Sequence, residues 1–152
     1  MKNSSPLRIA VIADTHDLFP ETLGTEIAMA DEIWHLGDVC SSAVLEKIRQ
    51  LGPPVTIVKG NNDLFQPWPM EISLKRNSLD FRLIHIPPAL SKLGSADVLL
   101  HGHTHVPRDE VIHGVRILNP GAVGKANKGA PRSYAWLELD EMVNINWRVI
   151  LL

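Results

Sequence analysis

Apolar residues concentrate in short blocks along the first third of the chain: Leu7–Ala13, Glu32–Leu36 and Val55–Val58. Runs of that length without alternation predict strands buried on both faces. Between them the spacing changes. Leu23 and Ile27 stand four apart within Thr22–Met29, which predicts a short helix. Val44, Leu45, Ile48 and Leu51 repeat at helical spacing behind Ser41 and Ser42, with Gly52 and Pro53 as the stop. A second helix with a serine N-cap follows from that pattern. Strand and helix in alternation predict parallel strands joined by crossover helices.

Beyond Val58 the runs come in pairs. Met70–Leu74 and Leu79–Ile84 flank Lys75, Arg76, Asn77 and Ser78 like the arms of a hairpin. Asp97–Leu100 reads as another buried strand. Glu110–Ile112 and Val115–Leu118 surround His113 and Gly114, a pair suited to a two-residue turn. Ser133–Leu139 and Val143–Ile150 surround Asp140, Glu141 and Met142. In the last run Val143, Ile145, Trp147 and Val149 alternate with Asn144, Asn146 and Arg148, the mark of a sheet with one wet face. The expected fold is α/β: two mixed sheets packed face to face with helices outside, forming a single domain over residues 1–152. Gly121–Pro131 reads as a surface loop.

Composition narrows the options. Apolar residues make up 45% of the 152 positions, enough for a sizeable core. A net charge of -2 sets up no field that favours nucleic acid or an anionic membrane. The single cysteine, Cys40, excludes an intrachain disulfide and fits a reducing compartment; it is read as a small buried side chain. The polar start, Met1–Pro6, and the short apolar block after it do not make a secretion signal. No run approaches the roughly 20 apolar residues of a membrane span. These features predict a cytoplasmic protein.

The chemistry is concentrated where the strand-like runs end. Asp14-Thr15-His16, Gly37-Asp38, Gly60-Asn61-Asn62-Asp63, His85 and Gly102-His103-Thr104-His105 each follow such a run. Strand ends in layered α/β folds collect ligands. In an extended chain Asp14 and His16 would face one way and could grip one ion, and His103 and His105 repeat the i, i+2 spacing. Asp38 has two carboxylate oxygens and can bridge two ions, and Asn61 offers a neutral amide oxygen. Two divalent ions set against Asp14, Asp38 and a bridging hydroxide leave roughly one positive charge, which suits a phosphodiester.

Taken in order, Leu7–His16, His35–Val39, Gly60–Asp63, Gly102–His105, Asn119-Pro120-Gly121 and Ser133–Leu139 resemble the calcineurin-like metallophosphoesterase family, and within it the small bacterial and archaeal phosphodiesterases. The resemblance implies a four-layer α-β-β-α sandwich. It implies one ion held by Asp14, His16, Asp38 and His105, and a second held by Asp38, Asn61, His85 and His103. The ions would be manganese, or iron, nickel, cobalt or zinc. A hydroxide bridging them would attack phosphorus in line in a small phosphate ester. Some small members assemble, so a homo-oligomer is compatible with the likeness.

Three positions depart from the family pattern. Asn62 stands where many members carry a general-acid histidine, and an amide can hydrogen-bond phosphate but cannot deliver a proton. His85-Ile86-Pro87-Pro88 replaces a segment that more often holds a glycine and another histidine. Asp17 stands where a small residue is common, adding negative charge behind the ligands. His101 is a candidate donor to a ligand, and Arg132, with Lys125 and Lys128, a candidate phosphate contact. Phe65, Trp68 and Met70 could wall a pocket for an organic group. His35 is expected to pack in its strand and His113 to belong to its turn. The rival reading is a binding scaffold of the same fold, like the retromer subunit of this family; the filled ligand positions, His16 among them, argue against it. The acidic balance argues against a nuclease.

Overall fold

The computed structural model describes residues 4–127 and 129–152, so Met1, Lys2, Asn3 and Lys128 lie outside it. Two five-stranded mixed sheets form the body of the protein. In the first, strand β1 (Leu7–Ile12) pairs in parallel with β2 (Glu32–His35), which pairs in parallel with β3 (Val55–Ile57). Helix α1 (Glu21–Ile27) joins β1 to β2, and α2 (Ser42–Arg49) joins β2 to β3. The Ser41 hydroxyl accepts the Val44 N–H at 3.3 Å, and the chain turns away from the helix at Gly52 with a φ of 109°. The expected cap and stop are both present.

The second sheet runs β4-β5-β6-β8-β7. Its members are β4 (Glu71–Arg76), β5 (Leu79–Ile84), β6 (Val98–Leu100), β7 (Arg108–Ile112) and β8 (Val115–Asn119). β4 and β5 form a hairpin tighter than the sequence suggested. Lys75 and Arg76 stay in the strand, and Asn77 and Ser78 alone make the turn, both at positive φ. His113 and Gly114 turn between β7 and β8 as expected, at φ 50° and 80°. The second half is not built of hairpins alone: β6 runs parallel to both β5 and β8. The last hairpin, β9 (Ser133–Leu139) with β10 (Ile145–Leu151), joins the first sheet, where β9 lies antiparallel to β1. β10 begins two residues later than its alternating pattern, because Val143 sits in the turn at φ 59°.

Alternation within β1 shows how the layers are filled. Ala10 and Ile12 face the helices, together with Leu23, Ile27, Val44 and Ile48. Ile9, Val11 and Ala13 face the other way, into the core between the sheets with Trp34, Leu36, Phe81, Leu83, Leu100 and Leu137. Trp34 and Phe81 meet edge to face across that core at 5.3 Å. The outer face of the second sheet packs Leu99, Val115 and Ile117 under Leu93, at the end of a 3-10 turn (Leu90–Lys92). That turn is the whole helical content of the fourth layer among the described residues. No helix there is long and apolar enough to cross a membrane.

The topology decides where chemistry can sit. β1, β2 and β3 share one direction, as do β5, β6 and β8. Their C-terminal ends meet at one edge of the sandwich, where the Gly102 N–H donates to His85 O within the second sheet and the His103 N–H donates across the sheets to Asp14 Oδ2, both at 3.0 Å. Leu137 is fully buried between the sheets and Met142 is 79% exposed. Leu137→Ala is therefore expected to cost about 2–5 kcal/mol in urea unfolding, and Met142→Ala less than about 0.5 kcal/mol.

Candidate metal centre

The loops after β1 and β2 are zipped together. The Asp14 N–H donates to Gly37 O and the His16 N–H to Asp38 O, each at 3.0 Å. The chain is not extended here. Asp14, His16 and Asp38 sit at φ 52°, 47° and 58°, and His103 and His105 at 69° and 61°. Asp14 and His16 still converge, through left-handed turns, whereas His103 turns towards Asn61 and His105 towards Asp14. Non-glycine residues adopt such backbone rarely, and it gathers at functional sites. Gly37 is required twice over: its φ is 96°, and a Cβ there would lie 2.7 Å from His85 Nδ1.

Asp63 holds this backbone in place. Its carboxylate accepts three main-chain N–H groups: Asp38 and Gly60 at 2.8 Å and Cys40 at 2.9 Å. It is buried, and it was missed as a functional residue because Gly-Asn-Asn-Asp also reads as ordinary turn chemistry. The readable signal was a carboxylate three residues after a glycine, placed to bond back to that glycine's N–H. His35 was read as packing in its strand, and it does more. Its Nδ1 accepts the Gly37 N–H at 3.1 Å, so its Nε2 carries the proton and donates to Thr15 Oγ1 at 3.0 Å. Complete burial pushes the His35 pKa down to about 4, outweighing the nearby carboxylates, so the ring is neutral and ties the two loops together.

The other histidines have tautomers set by backbone carbonyls. His85 Nδ1 donates to Leu36 O at 2.7 Å, leaving Nε2 aimed at Asp38 Oδ2, 3.4 Å away, and Asn61 Oδ1, 2.9 Å away. Pro87 and Pro88 do not displace it; His85 is buried at the end of β5. His105 Nδ1 donates to Lys125 O at 3.1 Å and points Nε2 at Asp14 Oδ1 at 3.3 Å. His103 Nδ1 lies 3.0 Å from Asn61 Oδ1. A ring N–H fixed on a carbonyl is the usual partner of a metal-facing imidazole nitrogen.

All seven expected ligand residues thus meet at one end of the fold. One atom each from Asp14, His16 and His105 lies within 4.8 Å of the others, and the same holds for Asp14, Asp38 and His85. Asp14 Oδ1 and His16 Nε2 are buried without a hydrogen-bond partner among the described residues. Most of the atoms facing the pocket are acceptors, and buried acceptors need a cation or a proton between them. The donor set fits divalent metal ions with mixed nitrogen and oxygen coordination. Without metal, protons take that place. His85 pays for burial, yet Asp38 and Asp14 raise its pKa above the ordinary histidine value; the adjacent Asp14 carboxylate does the same for His105. Burial opposes the charged form of Asp38, but bonds from His85 and Asn62 hold its carboxyl well below the usual carboxylate range.

Asn62 is exposed and holds Asp38 twice, through its N–H on Oδ1 and its side-chain amide on Oδ2, both at 2.8 Å. His101 is buried, with a pKa pushed down to about 4, chiefly by burial. It donates to Gly102 O at 2.9 Å and accepts from Arg108, so it supports the turn before His103 rather than touching a ligand side chain. Asn119 shares that task, its amide reaching Gly102 O and Thr104 Oγ1.

Several expectations need correction. Cys40 is exposed rather than buried, with its sulfur 3.4 Å from His16 Nδ1. Desolvation of the sulfur and the charges of Asp38, Asp63 and Asp17 push the thiol up to about 12. The Gly-rich segment is not a surface loop throughout: Ala122 and Val123 are fully buried, and the Gly124 N–H donates to Asp14 O. Arg132 turns its Nε to Val123 O at 2.6 Å. Asp17 is exposed and makes no hydrogen bond among the described residues. Phe65 is 98% exposed and Trp68 lines a hollow beside Asn62, Asp63 and Cys40, so only Met70 of that trio borders Asn61 and His85.

A pair of mixed sheets carrying an Asp and His cluster at their shared edge defines a metallophosphoesterase architecture. The chain belongs to the calcineurin-like phosphoesterase superfamily, whose domain model it matches over residues 7–142. It is 32% identical over 130 residues to a probable metallophosphoesterase of Methanocaldococcus jannaschii, covering 75% of this chain and 67% of that protein. It is also 32% identical over 114 residues to the phosphodiesterase YfcE of Escherichia coli K12, covering 64% of this chain and 59% of that enzyme. In fold it resembles vacuolar protein sorting 29 of Cryptosporidium parvum, with a TM-score of 0.76 at 20% identity, over 98% of this chain and all of that one.

Asp63→Ala deprives three main-chain N–H groups of their acceptor without removing an expected ligand. It should weaken manganese binding to the metal-stripped protein by about 10–100-fold in calorimetric titration. Asp17→Ala should leave that affinity within about twofold, since Asp17 anchors no backbone.

Proposed function

We propose that this chain is a dinuclear metal-dependent phosphoesterase that acts on phosphodiesters in preference to monoesters, as a single domain of the cytoplasm. The observation that carries the reading is the pair of unpartnered buried atoms, Asp14 Oδ1 and His16 Nε2, within a cluster dominated by acceptors. Asp14, His16, Asp38 and His105 would hold one divalent ion, and Asp38, Asn61, His85 and His103 the other. Two such ions, manganese or else iron, nickel, cobalt or zinc, would supply a bridging hydroxide at neutral pH and neutralise charge on the phosphoryl oxygens.

The protein's own groups fix the rest. Asp38, held by Asn62 and by its backbone bond to Asp63, stays ionised and in place. Leu36 O and Lys125 O keep Nε2 of His85 and His105 turned inward. The phosphodiesterase names of relatives such as YfcE agree with a diester substrate. The likeness to vacuolar protein sorting 29 concerns the fold alone, and the complete set of ligand residues gives a scaffold role no added support.

Metal-stripped protein should hydrolyse bis-p-nitrophenyl phosphate only after manganese is added, and Asp38→Asn should remove that turnover by at least about 10³-fold. Silence with all five metals would put the scaffold reading first. Because Asn62 cannot give a proton to the leaving oxygen, alkyl diesters should turn over far more slowly than aryl ones. Asn62→His should raise alkyl ester turnover by about 10²-fold and aryl turnover much less; equal gains on both would remove the general-acid argument.

A further inference from the structure

A small cavity of about 80 Å³ opens beside the centre, lined by Lys59, Asn61, Met70, Ile84, His85 and Ile86. Two of its lining residues, Asn61 and His85, belong to the candidate ligand set. The others present three apolar side chains and the stem of a lysine. Met70 and Ile86 are 61% and 45% exposed at its rim. Ile86 and the two prolines after it leave the end of β5 stiffened, so this wall is rigid.

In-line displacement places the leaving oxygen opposite the attacking one, while the second ester oxygen lies at the side of the phosphorus. The hollow shares Asn61 and His85 with the centre and is too small for an aromatic ring, so of the two substituents on an aryl alkyl diester it can admit only the alkyl one, which stays on phosphorus. We propose that the hollow between Met70, Ile84 and Ile86 receives this non-leaving group, and that Met70 and Ile86 select phosphodiesters bearing a short aliphatic chain there. The inference rests on the phosphodiesterase reading. Its size limit follows from volume. A cavity of about 150 Å³ takes benzene and a water occupies about 30 Å³, so this one accepts about two or three carbons and no ring. Each buried methylene should improve kcat/KM by about two- to fourfold until the space is full.

The experiment uses the manganese-loaded protein and p-nitrophenyl esters of methyl, ethyl, propyl and hexyl phosphate, all with one leaving group. Expected is a rise in kcat/KM from methyl to propyl and a plateau at hexyl. Ile86→Trp, which fills the cavity, should flatten the series from methyl to propyl. A second readout needs no turnover. In zinc-loaded protein with labelled methionine methyls, dipropyl phosphate should shift the Met70 signal and leave Met29 and Met142 in place. Inorganic phosphate should leave all three unmoved. Manganese-dependent turnover with a flat series, or a Met70 signal indifferent to dipropyl phosphate, overturns the pocket and leaves the phosphodiesterase reading standing. Absence of turnover on every ester, with the Met70 shift retained, removes the reading and keeps the cavity as a dialkyl phosphate site; absence of both removes the two together.

Discussion

Left-handed backbone at Asp14, His16, Asp38, His103 and His105 is the constraint on which the rest of this site depends. Such conformations cost roughly 1–2 kcal/mol apiece for residues with a Cβ. They persist because the surroundings fix them many times over. Asp63 binds three N–H groups on the two loops, Asp14 and His16 are bonded to the loop after β2, and the Gly124 N–H closes on Asp14 O. A carboxylate accepting three main-chain N–H groups is among the stronger anchors available to a loop, since its bonds are charge-assisted and shielded from water. The strain is thus offset by polar contacts that themselves require burial.

Burial is also what gives the cluster its electrostatic character. Asp14 and Asp38 lie almost wholly out of water and face imidazoles instead of lysines or arginines. An arginine there would saturate the carboxylates and leave nothing for an added cation. Imidazole can surrender its proton near neutral pH, so the same groups that neutralise the empty cluster release it to an ion. His35 and His101, buried at the back and kept neutral, add no competing positive charge.

Much of this was legible in the sequence, for reasons that can be named. The blocks Leu7–Ala13, Glu32–Leu36 and Val55–Val58 are strands because no helix would bury them on all sides, and the helix between Ser41 and Gly52 carries both its punctuation marks. Ligand residues could be found because each follows a strand that shares one direction with its neighbours. The conformation that aims them was not legible, since period and composition say nothing of φ at Asp14 or His103. The same limit applies to Asp63 and Asn119, whose partners are main-chain groups up to 25 residues away. Cys40 was misjudged because a cysteine's preference for burial is an average, and here the chain leaves the sheet before reaching it. The β9–β10 hairpin went unassigned to a sheet because alternation reveals a face without revealing a neighbour.

The division of the cluster between the two sheets has a further consequence. Asp14, His16, Asp38 and Asn61 follow strands of the first sheet, whereas His85, His103 and His105 follow strands of the second. The first sheet is itself incomplete until β9 and β10, at the far end of the chain, pair with β1. A nascent chain therefore carries half of the donors long before it has the scaffold to aim them. The cluster is complete only when segments distant in the sequence have met. Any ion held there would span the seam between the sheets and report on whether that seam has closed.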